Sequence, residues 1–162
     1  MSTADAGLLL AAEVQGPARR ERRFGFRIGG AGFLVPAGVA SEIVQNPVIH
    51  RMPWRTPHMR GLLSHRGNVV PVFDLSALFH TVVQSESSAY LLILDSGERA
   101  GGVIVDTLPA MLACEADEHP DSSGLPSPLS DTVQGTRVAA GERWFELDHM
   151  ALFSALARMH AA

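Results

Sequence analysis

The sequence predicts an all-β fold that ends in a single α-helix. One observation is the alternation of apolar and other residues along short segments, as from Phe24 to Ile28. A second is that turn residues separate these segments at short intervals, which gives roughly nine or ten strands joined mostly by hairpins. A third is that helical periodicity is confined to the C-terminal segment. Short, evenly spaced strands are typical of closed or nearly closed barrels rather than of a layered α/β fold.

In the first half of the chain, glycine and proline define the predicted elements. "GGAG" turns the first strand into "FLVP", and "VASEIVQ" is a further short strand. Residues 46–58 contain three prolines and are predicted to be a surface connection anchored by Trp54. "GLLSH" and "NVVPVFD" are two strands with "RGN" as the tight connection. Pro71 lacks an N–H, so its strand should lie at a sheet edge or carry a bulge.

In the second half, two further hairpins are predicted before the helix. "AYLLIL", "DSGE" and "GGVIVD" form the first, "TLPAML" continues extended, and "TVQGTRVAAGERWFEL" forms the second. Residues 114–131 are predicted to be a long acidic loop, and two similar halves should meet near residues 75–90. Asp148 is the predicted N-cap of the helix. The apolar face of this helix should contain Met150, Leu152, Phe153, Leu156 and Met159.

Composition and charge limit the class of protein. The chain has 162 residues, 46% of them hydrophobic, and a single cysteine, so it should be one domain or two small subdomains in a reducing compartment. No apolar run is long enough to span a membrane, and "GLLLAA" is a poor signal peptide, which favours a cytoplasmic protein. A net charge of −4 argues against general nucleic-acid binding. The ten Arg before residue 101 and the nine acids after it suit docking between charged protein surfaces.

The densest charged run is "ARRERRFGFR", which begins at residue 18. It is interpreted mainly as a solvated lead-in to the first strand. Contact with anionic lipid or nucleic acid remains the alternative at this point.

The sequence does not predict an enzyme, a metal site or a cofactor. Ser64 and His65 are adjacent on a strand, so their side chains should point to opposite faces and not reach each other as nucleophile and base. The histidines lack the short spacing of zinc ligands, and the acidic cluster from Cys114 to His119 lies in the predicted loop. "GGAG" sits in a hairpin rather than before a helix, so it is no phosphate loop.

Arg66 is the candidate for a binding residue. It lies at the tip of a rigid hairpin, where Gly67 allows the sharp turn and leaves the guanidinium free to reach outward. Arginine is favoured at interface hot spots, because its planar fork makes several directed hydrogen bonds. An arginine that merely solvates a hairpin tip is an equally good interpretation from the pattern alone.

The stretch "GLLSHRGNVVPVFDL" resembles the core motif of the CheW-like coupling domains of bacterial chemotaxis arrays, Gly-x-x-Asn-x-Arg-Gly-x-x-x-Pro-φ-φ-Asp-Leu, where φ is apolar. "ASEIV" and "GVIVD" are similar to the family's flanking motifs. The resemblance covers residues 22–157, with residues 1–21 as an N-terminal lead and 158–162 as a tail. It implies two SH3-like five-stranded β-barrel subdomains that share a hydrophobic core, followed by the C-terminal helix.

The resemblance further implies a non-enzymatic adaptor. Such proteins couple a chemoreceptor's cytoplasmic tip to the regulatory domain of a CheA-type histidine kinase, in the cytoplasm at membrane-associated receptor arrays. Matched position by position, the receptor-binding residues would be Ala40, Glu42, Gly61, Arg66, Gly67, Tyr90 and Leu91. The structural residues would be Pro71, Asp74, Gly102 and Asp106, with Gly102 and Asp106 holding the second barrel's hairpin.

Three departures from the family pattern concern the predicted groove. Ala40 stands where the family usually has Val, Ser64 replaces Asn, and His65 replaces an apolar residue. The groove should therefore be smaller at one wall and more polar beside Arg66. These features leave room for a specialised array, such as the PilI-like branch that controls type IV pili and twitching motility. The alternatives are a stand-alone regulator that competes with the coupling protein, and a small β-barrel that binds nucleic acid or a ligand.

Overall fold

Ten strands and one α-helix form the part of the chain that the computed structural model describes, residues 19–53, 57–79 and 90–160. The all-β prediction with a C-terminal helix is confirmed. The strands are β1 (Glu21–Ile28), β2 (Ala31–Leu34), β3 (Ser41–Gln45), β4 (Met59–His65), β5 (Asn68–Phe73), β6 (Tyr90–Leu94), β7 (Gly101–Val105), β8 (Ala110–Ala116), β9 (Val133–Ala139) and β10 (Glu142–Leu147), and the helix is α1 (His149–His160). Short 3-10 turns occupy Ser76–Phe79, Gly97–Arg99 and Ser130–Thr132.

The strands form two five-stranded sheets, and the strands of one sheet lie in the sequence between strands of the other. A closed barrel has the order β1-β2-β10-β9-β8, and a second sheet has the order β3-β6-β7-β5-β4. The barrel closes because β1 pairs antiparallel with β8, and β2 pairs parallel with β10. Both ends of the chain thus build the barrel, while its middle builds the second sheet. The prediction of two halves that meet near residues 75–90 is therefore wrong.

The second sheet curls so that its outer strands approach each other. His50, which follows β3, exchanges two backbone hydrogen bonds with Leu62 of β4, with N to O distances of 2.8 and 2.9 Å. Gly61 permits this approach, because a Cβ there would lie 2.2 Å from the His50 carbonyl oxygen. The predicted arrangement of two five-stranded barrel-like units is thus confirmed, with one closed along its whole circumference and the other joined through this bridge.

One large apolar core lies between the two units and α1, and each unit has a smaller core of its own. Strand β6 serves two of them, since Leu92 and Leu94 lie in the shared core while Leu91 and Ile93 lie in the core of the second sheet. Burial on both faces explains why this segment is continuously apolar rather than alternating. The shared hydrophobic core is confirmed.

Helix α1 begins at the predicted cap, since the Asp148 carboxylate accepts a hydrogen bond from the Ala151 N–H at 3.1 Å. Leu152 and Leu156 are buried in the shared core, as expected. Met150, placed on the apolar face from the sequence, is exposed, because it lies in the first turn at the rim of the core. The helix extends to His160, so residues 158–160 are not part of a tail.

Two strand predictions require correction. Of the two alternatives for Pro71, the sheet edge is wrong, because β5 lies between β4 and β7. The β4–β5 pair does have an irregularity, but it lies in β4, between Met59 and Gly61. Strand β5 pairs with β7 only through Val72 and Phe73. Pro71 precedes these two residues, so its missing N–H costs no hydrogen bond to β7. Cys114 does not begin a loop: it is fully buried in β8, and the irregular connection starts only after Ala116.

The arginine run is a solvated lead-in only in part: Arg19 and Arg20 precede β1 and are exposed, as is Arg22 in β1, whereas Arg23 and Arg27 are held within the barrel. Arg23 is buried, and its guanidinium donates to the Glu146 carboxylate at 2.6 Å and to the Val35 carbonyl at 3.0 Å. Arg27 lies over the Trp144 ring, 4.5 Å from its centroid. These charges stabilise the barrel instead of forming a basic surface.

Several predictions fall outside the described residues. They include the course of residues 1–18, the anchoring role of Trp54 and the polar loop "QSESS". The lead was predicted to extend to residue 21, but Glu21 is already the first residue of β1. Within the described residues, none of the helices has the length and apolar character needed to cross a bilayer.

Candidate functional site

The site is built on the two-residue turn between β4 and β5. His65 and Asn68 pair across the hairpin, and Arg66 and Gly67 form the connection. Their φ angles of 49° and 78° are both positive, which is the conformation of a type I′ turn. This turn type matches the twist of the flanking strands. It therefore fixes the backbone from which the Arg66 side chain projects.

The Arg66 guanidinium holds the Glu42 carboxylate of β3 through two hydrogen bonds. Its Nε donates to Oε2 at 3.2 Å, and its Nη2 donates to Oε1 at 3.1 Å. His65 Nε2 lies 2.8 Å from the same Oε2 and donates a third hydrogen bond. The side chains of Arg66, Glu42 and His65 are 74%, 41% and 22% exposed, respectively. The contact of His65 with Glu42 is thus the more enclosed part of this cluster.

These contacts set the charge of the cluster. The hydrogen bond from Arg66, followed by that from His65, lowers the pKa of Glu42 below its usual value. The same carboxylate raises the pKa of Arg66. The pair is therefore fully ionised at neutral pH and presents a charged fork to solvent.

A pocket of about 240 Å³ lies beside this charged pair. Its walls include Val70, Ile93 and Ala100, which are buried and apolar. Glu42, His65 and Arg66 form one side of its rim, and the β6–β7 turn forms the other. The remaining lining residues are Ala40, Ser41, Asn68, Asp95, Ser96 and Gly97. The pocket therefore combines an apolar floor with a polar and charged rim.

The opposite rim is fixed by a contact between the β6–β7 turn and α1. Asp95 has a φ of 71°, and its carboxylate lies 2.9 Å from Nε2 of the buried His149. This hydrogen bond, followed by one from the Ser96 N–H, lowers the pKa of Asp95. The Asp95 N–H also donates to the Ala40 carbonyl at 2.8 Å. The rim is therefore tied both to the helix and to the segment before β3.

Comparison with known proteins identifies the family. The sequence model of the CheW-like domain family matches residues 23–157 of this chain. The chain belongs to the CheW-like domain family. It is 28% identical over 111 residues to Protein PilI of Pseudomonas aeruginosa strain PAO1, an alignment that covers 68% of this chain and 61% of that protein's length. It also superimposes on the crystal structure of scaffolding protein TtCheW from Thermoanaerobacter tengcongensis, with a TM-score of 0.61, 17% identity, and coverage of 80% and 90% of the two chains.

Both sequence-level predictions of relationship are thereby confirmed: the CheW-like family, and the similarity to PilI-like proteins. At 17% identity, the structural match supports the fold alone. The chain spans about three fifths of the length of the curated relative that it matches.

The structure brings together only some of the residues predicted to bind a receptor. Ala40, Glu42 and Arg66 line the pocket, and Gly67 completes the turn beside it.

The other three predicted contact residues have different surroundings. Gly61 is buried with a φ of 150°, so it shapes the His50–Leu62 bridge. Leu91 is fully buried and supports the pocket from within, so it cannot itself touch a partner. Tyr90 lies at the opposite end of β6, pairs with Gln45 and packs against the shared core.

The predicted structural residues make specific contacts. Asp74 accepts hydrogen bonds from the N–H and hydroxyl of Ser76 at 3.1 and 2.6 Å, which caps the 3-10 turn, and it also pairs with Arg60 at 3.2 Å. Gly102 lies in β7, where a Cβ would come 2.9 Å from Leu91 Cδ1. Asp106 accepts from the N–H groups of Gly29 and Gly30 in the β1–β2 turn. It thus holds a hairpin of the closed barrel from the end of a strand in the other sheet.

Two residues of the site were not found from the sequence. Asp95 was seen only as part of a turn, and His149 only as the residue after a helix cap. No local pattern pairs them, because they are far apart in the chain and meet through tertiary packing. Among the described residues, no group of three or more His, Cys, Asp or Glu side chains is arranged to hold a metal ion.

Proposed function

We propose that this CheW-like protein is a non-enzymatic adaptor that couples a chemoreceptor's cytoplasmic tip to the regulatory domain of a CheA-type histidine kinase. The observation that carries the proposal is the exposed Arg66 fork on a rigid turn beside an apolar pocket. A charged fork next to an apolar cavity suits a helical partner that offers an apolar side chain and a hydrogen-bond acceptor. Membership of the CheW-like family supports the same role.

The pathway that we propose is the control of type IV pili and twitching motility. The similarity to PilI supports this branch over flagellar chemotaxis. The more polar groove beside Arg66 agrees with a receptor that differs from an ordinary chemotaxis receptor. The protein would act in the cytoplasm, where receptor arrays on the membrane recruit it through protein contacts rather than through insertion into the bilayer.

The surroundings of the reactive side chains support a role without catalysis. His65 is hydrogen-bonded to Glu42, and His149 to Asp95. Cys114 is fully buried in the barrel, and burial raises the pKa of its thiol, which disfavours the reactive thiolate. Ser64 is exposed on the face of β4 opposite to His65.

The alternative of a nucleic-acid-binding barrel receives no support from the basic run. A nucleic-acid site needs a solvent-facing stripe of cations, often with aromatic side chains for stacking. Arg23 is buried against Glu146, Arg27 is paired with Glu142 and the exposed Arg20 is paired with Glu115, so three of the five arginines in this run are neutralised by carboxylates of the fold. Failure to bind single-stranded DNA or RNA at any salt concentration would remove this alternative.

The proposal is tested by titrating a receptor-tip fragment, and separately the kinase regulatory domain, against wild type and variants. Arg66→Ala should weaken receptor binding about thirtyfold or more, equivalent to ~2 kcal/mol, and Arg66→Lys should restore only part of it, because a point charge cannot replace the fork. Kinase binding and thermal stability should survive both changes.

Arg20→Ala is the matched control. Arg20 is 71% exposed and pairs with Glu115 at 2.8 Å, so it resembles Arg66 in exposure and partner but lies on the other unit. It should bind the receptor fragment as wild type does. Equal receptor affinity in wild type, Arg66→Ala and Arg20→Ala would overturn the proposed role of this surface.

A further inference from the structure

We infer that His149 is a positioning residue for the proposed receptor contact: through Asp95 it holds the wall of the pocket that lies opposite Arg66. The inference rests on the proposed function, because it concerns the affinity of that same surface. It gives helix α1 a role in binding that is separate from its burial in the shared core.

The wall in question is the β6–β7 turn, residues 95–100, which we call the far wall. Asp95, Ser96, Gly97 and Ala100 line the pocket on this side, and Arg66 lines it on the other. The turn is sharp, with φ angles of 71° at Asp95 and 63° at Gly97. Because the pocket has only about 240 Å³, a displacement of this wall changes which side chain fits.

Helix α1 holds both ends of the far wall. At its first residue, His149 Nε2 donates to the Asp95 carboxylate at 2.9 Å. Four residues later, Phe153 packs so closely on Gly101 that a Cβ there would lie 2.4 Å from the ring. Residues four apart share one face of a helix, and these two rings meet edge to face with centroids 6.2 Å apart. One face of α1 therefore sets where the turn begins and where it ends.

The same helix face is anchored to the strand that carries the near side of the pocket. Phe153 stacks on Phe73 of β5, with ring centroids 5.9 Å apart and an interplanar angle of 19°. The first residue of β5, Asn68, pairs with His65 across the hairpin that presents the arginine fork. The helix thus fixes the far wall relative to the near one.

The residue type at position 95 supports this interpretation. A φ of 71° is most easily adopted by glycine, so the backbone alone does not require an aspartate. What Asp95 adds is a carboxylate, whose second oxygen accepts from the Ser96 N–H at 2.8 Å. The side chains of His149 and Asp95 are only 10% and 18% exposed, so their hydrogen bond is shielded from water. Since the Asp95 N–H donates to the Ala40 carbonyl, the contact extends to another residue of the rim.

The first experiment needs no partner and compares amide hydrogen exchange at pH 7 in wild type and His149→Phe, which keeps a ring but loses the donor. The Ser96 and Asp95 amides should exchange about threefold faster or more in the variant. The Leu62 amide, which bonds to the His50 carbonyl at the other end of the sheet's closure, should keep its rate. Unchanged rates at Ser96 and Asp95, or equal acceleration at Leu62, would overturn the positioning role.

The second experiment titrates a receptor-tip fragment, and separately the kinase regulatory domain, against variants of the contact. His149→Phe should weaken receptor binding about three- to tenfold and leave kinase binding unchanged. His149→Gln retains an amide donor and should restore most of the affinity. Ser154→Ala, at an exposed position of the same helix, should bind both partners as wild type does.

A double-mutant cycle shows whether His149 acts through Asp95. Asp95→Gly relaxes the backbone but removes the acceptor, so it should weaken receptor binding by a similar factor. The variant with both His149→Phe and Asp95→Gly should bind no more weakly than either single variant, because each change removes the same hydrogen bond. Additive losses would contradict a role of His149 through Asp95.

The outcomes separate this inference from the proposed function. Receptor affinity that His149→Phe leaves unchanged, or a loss that extends equally to the kinase domain, would overturn the role of His149 and leave the adaptor function standing. If wild type failed to bind the receptor fragment, the proposed function would fall and the receptor role of His149 with it. The exchange rates would still decide whether α1 holds the turn.

Discussion

The carboxylate of Asp106 accepts a hydrogen bond from the Gly30 N–H at 2.9 Å and so connects the second sheet to the closed barrel. Asp106 directly follows β7, and Gly30 lies in the turn between β1 and β2. The Asp106 N–H donates to the Arg27 carbonyl at 2.8 Å, which strengthens the same junction. One residue thus couples units that would otherwise be joined mainly by apolar packing.

Asp106→Ala should lower the free energy of unfolding by on the order of 1 kcal/mol, because the turn loses its acceptor. Asp106→Asn keeps one side-chain acceptor and should recover part of the loss. Urea unfolding of the three proteins measures both values. Identical midpoints for wild type and Asp106→Ala would show that this junction does not stabilise the fold.

Gly61 and Gly67 offer a matched pair of substitutions beside the site. Gly61→Ala places a Cβ 2.2 Å from the His50 carbonyl at a φ of 150°, so it should cost about 2 kcal/mol or more in stability. Gly67→Ala, at a φ of 78° with no atom within 4 Å of the added Cβ, should cost only about 1 kcal/mol. Thermal unfolding gives the comparison. A larger loss in Gly67→Ala would contradict the assignment of Gly61 to the bridge.

Asp117 should make the fold sensitive to acid. The hydrogen bonds from Arg143 and then Thr136, each 2.7 Å long, lower its pKa from 3.8 to about 2. Because the pKa is lower in the folded state, this interaction stabilises the protein fully above about pH 4 and is lost as the pH falls towards 2. Arg143 also donates to the His119 carbonyl, so the same contacts fasten the connection after β8.

The comparison of wild type with Asp117→Asn tests this. Wild type should be the more stable at pH 7, and the two free energies of unfolding should converge between pH 4 and 2. Glu118→Gln, which removes one charge from an exposed neighbour, controls for the general effect of net charge. A difference between wild type and Asp117→Asn that stayed constant with pH would contradict the role of the carboxylate.

Local signals allowed much of the fold to be predicted from the sequence. Arg66 and Gly67 were placed in a tight turn because a glycine follows the tip between two apolar runs, and the structure has a two-residue turn there. The hairpin predicted for "TVQGTRVAAGERWFEL" is also present, and it turns at Ala140 and Gly141, which both have positive φ. The cap at Asp148 depends only on its neighbours. Hairpins and caps are decided within a few residues, so a single sequence reveals them.

What the sequence did not reveal depends on contacts between distant segments. Nothing local indicates that β1 pairs with β8, and this pairing is what buries Arg23 and Cys114 inside the barrel. The site also depends on contacts between distant segments, because Glu42 and His65 belong to the two outermost strands of the second sheet and meet only when that sheet curls. Leu91 was assigned to the contact surface by its position in the motif, and only the packing shows that it faces inward.

An adaptor must bind the receptor tip and the kinase regulatory domain at the same time. The direct measurement is size-exclusion chromatography with multi-angle light scattering on the two partners, with and without this protein. We predict that receptor tip and kinase domain form a ternary complex only when the adaptor is present. With Arg66→Ala, the adaptor should still bind the kinase domain but should bind much less receptor tip. Displacement of one partner by the other, or binding of only one of them, would contradict the adaptor role and favour a competing stand-alone regulator.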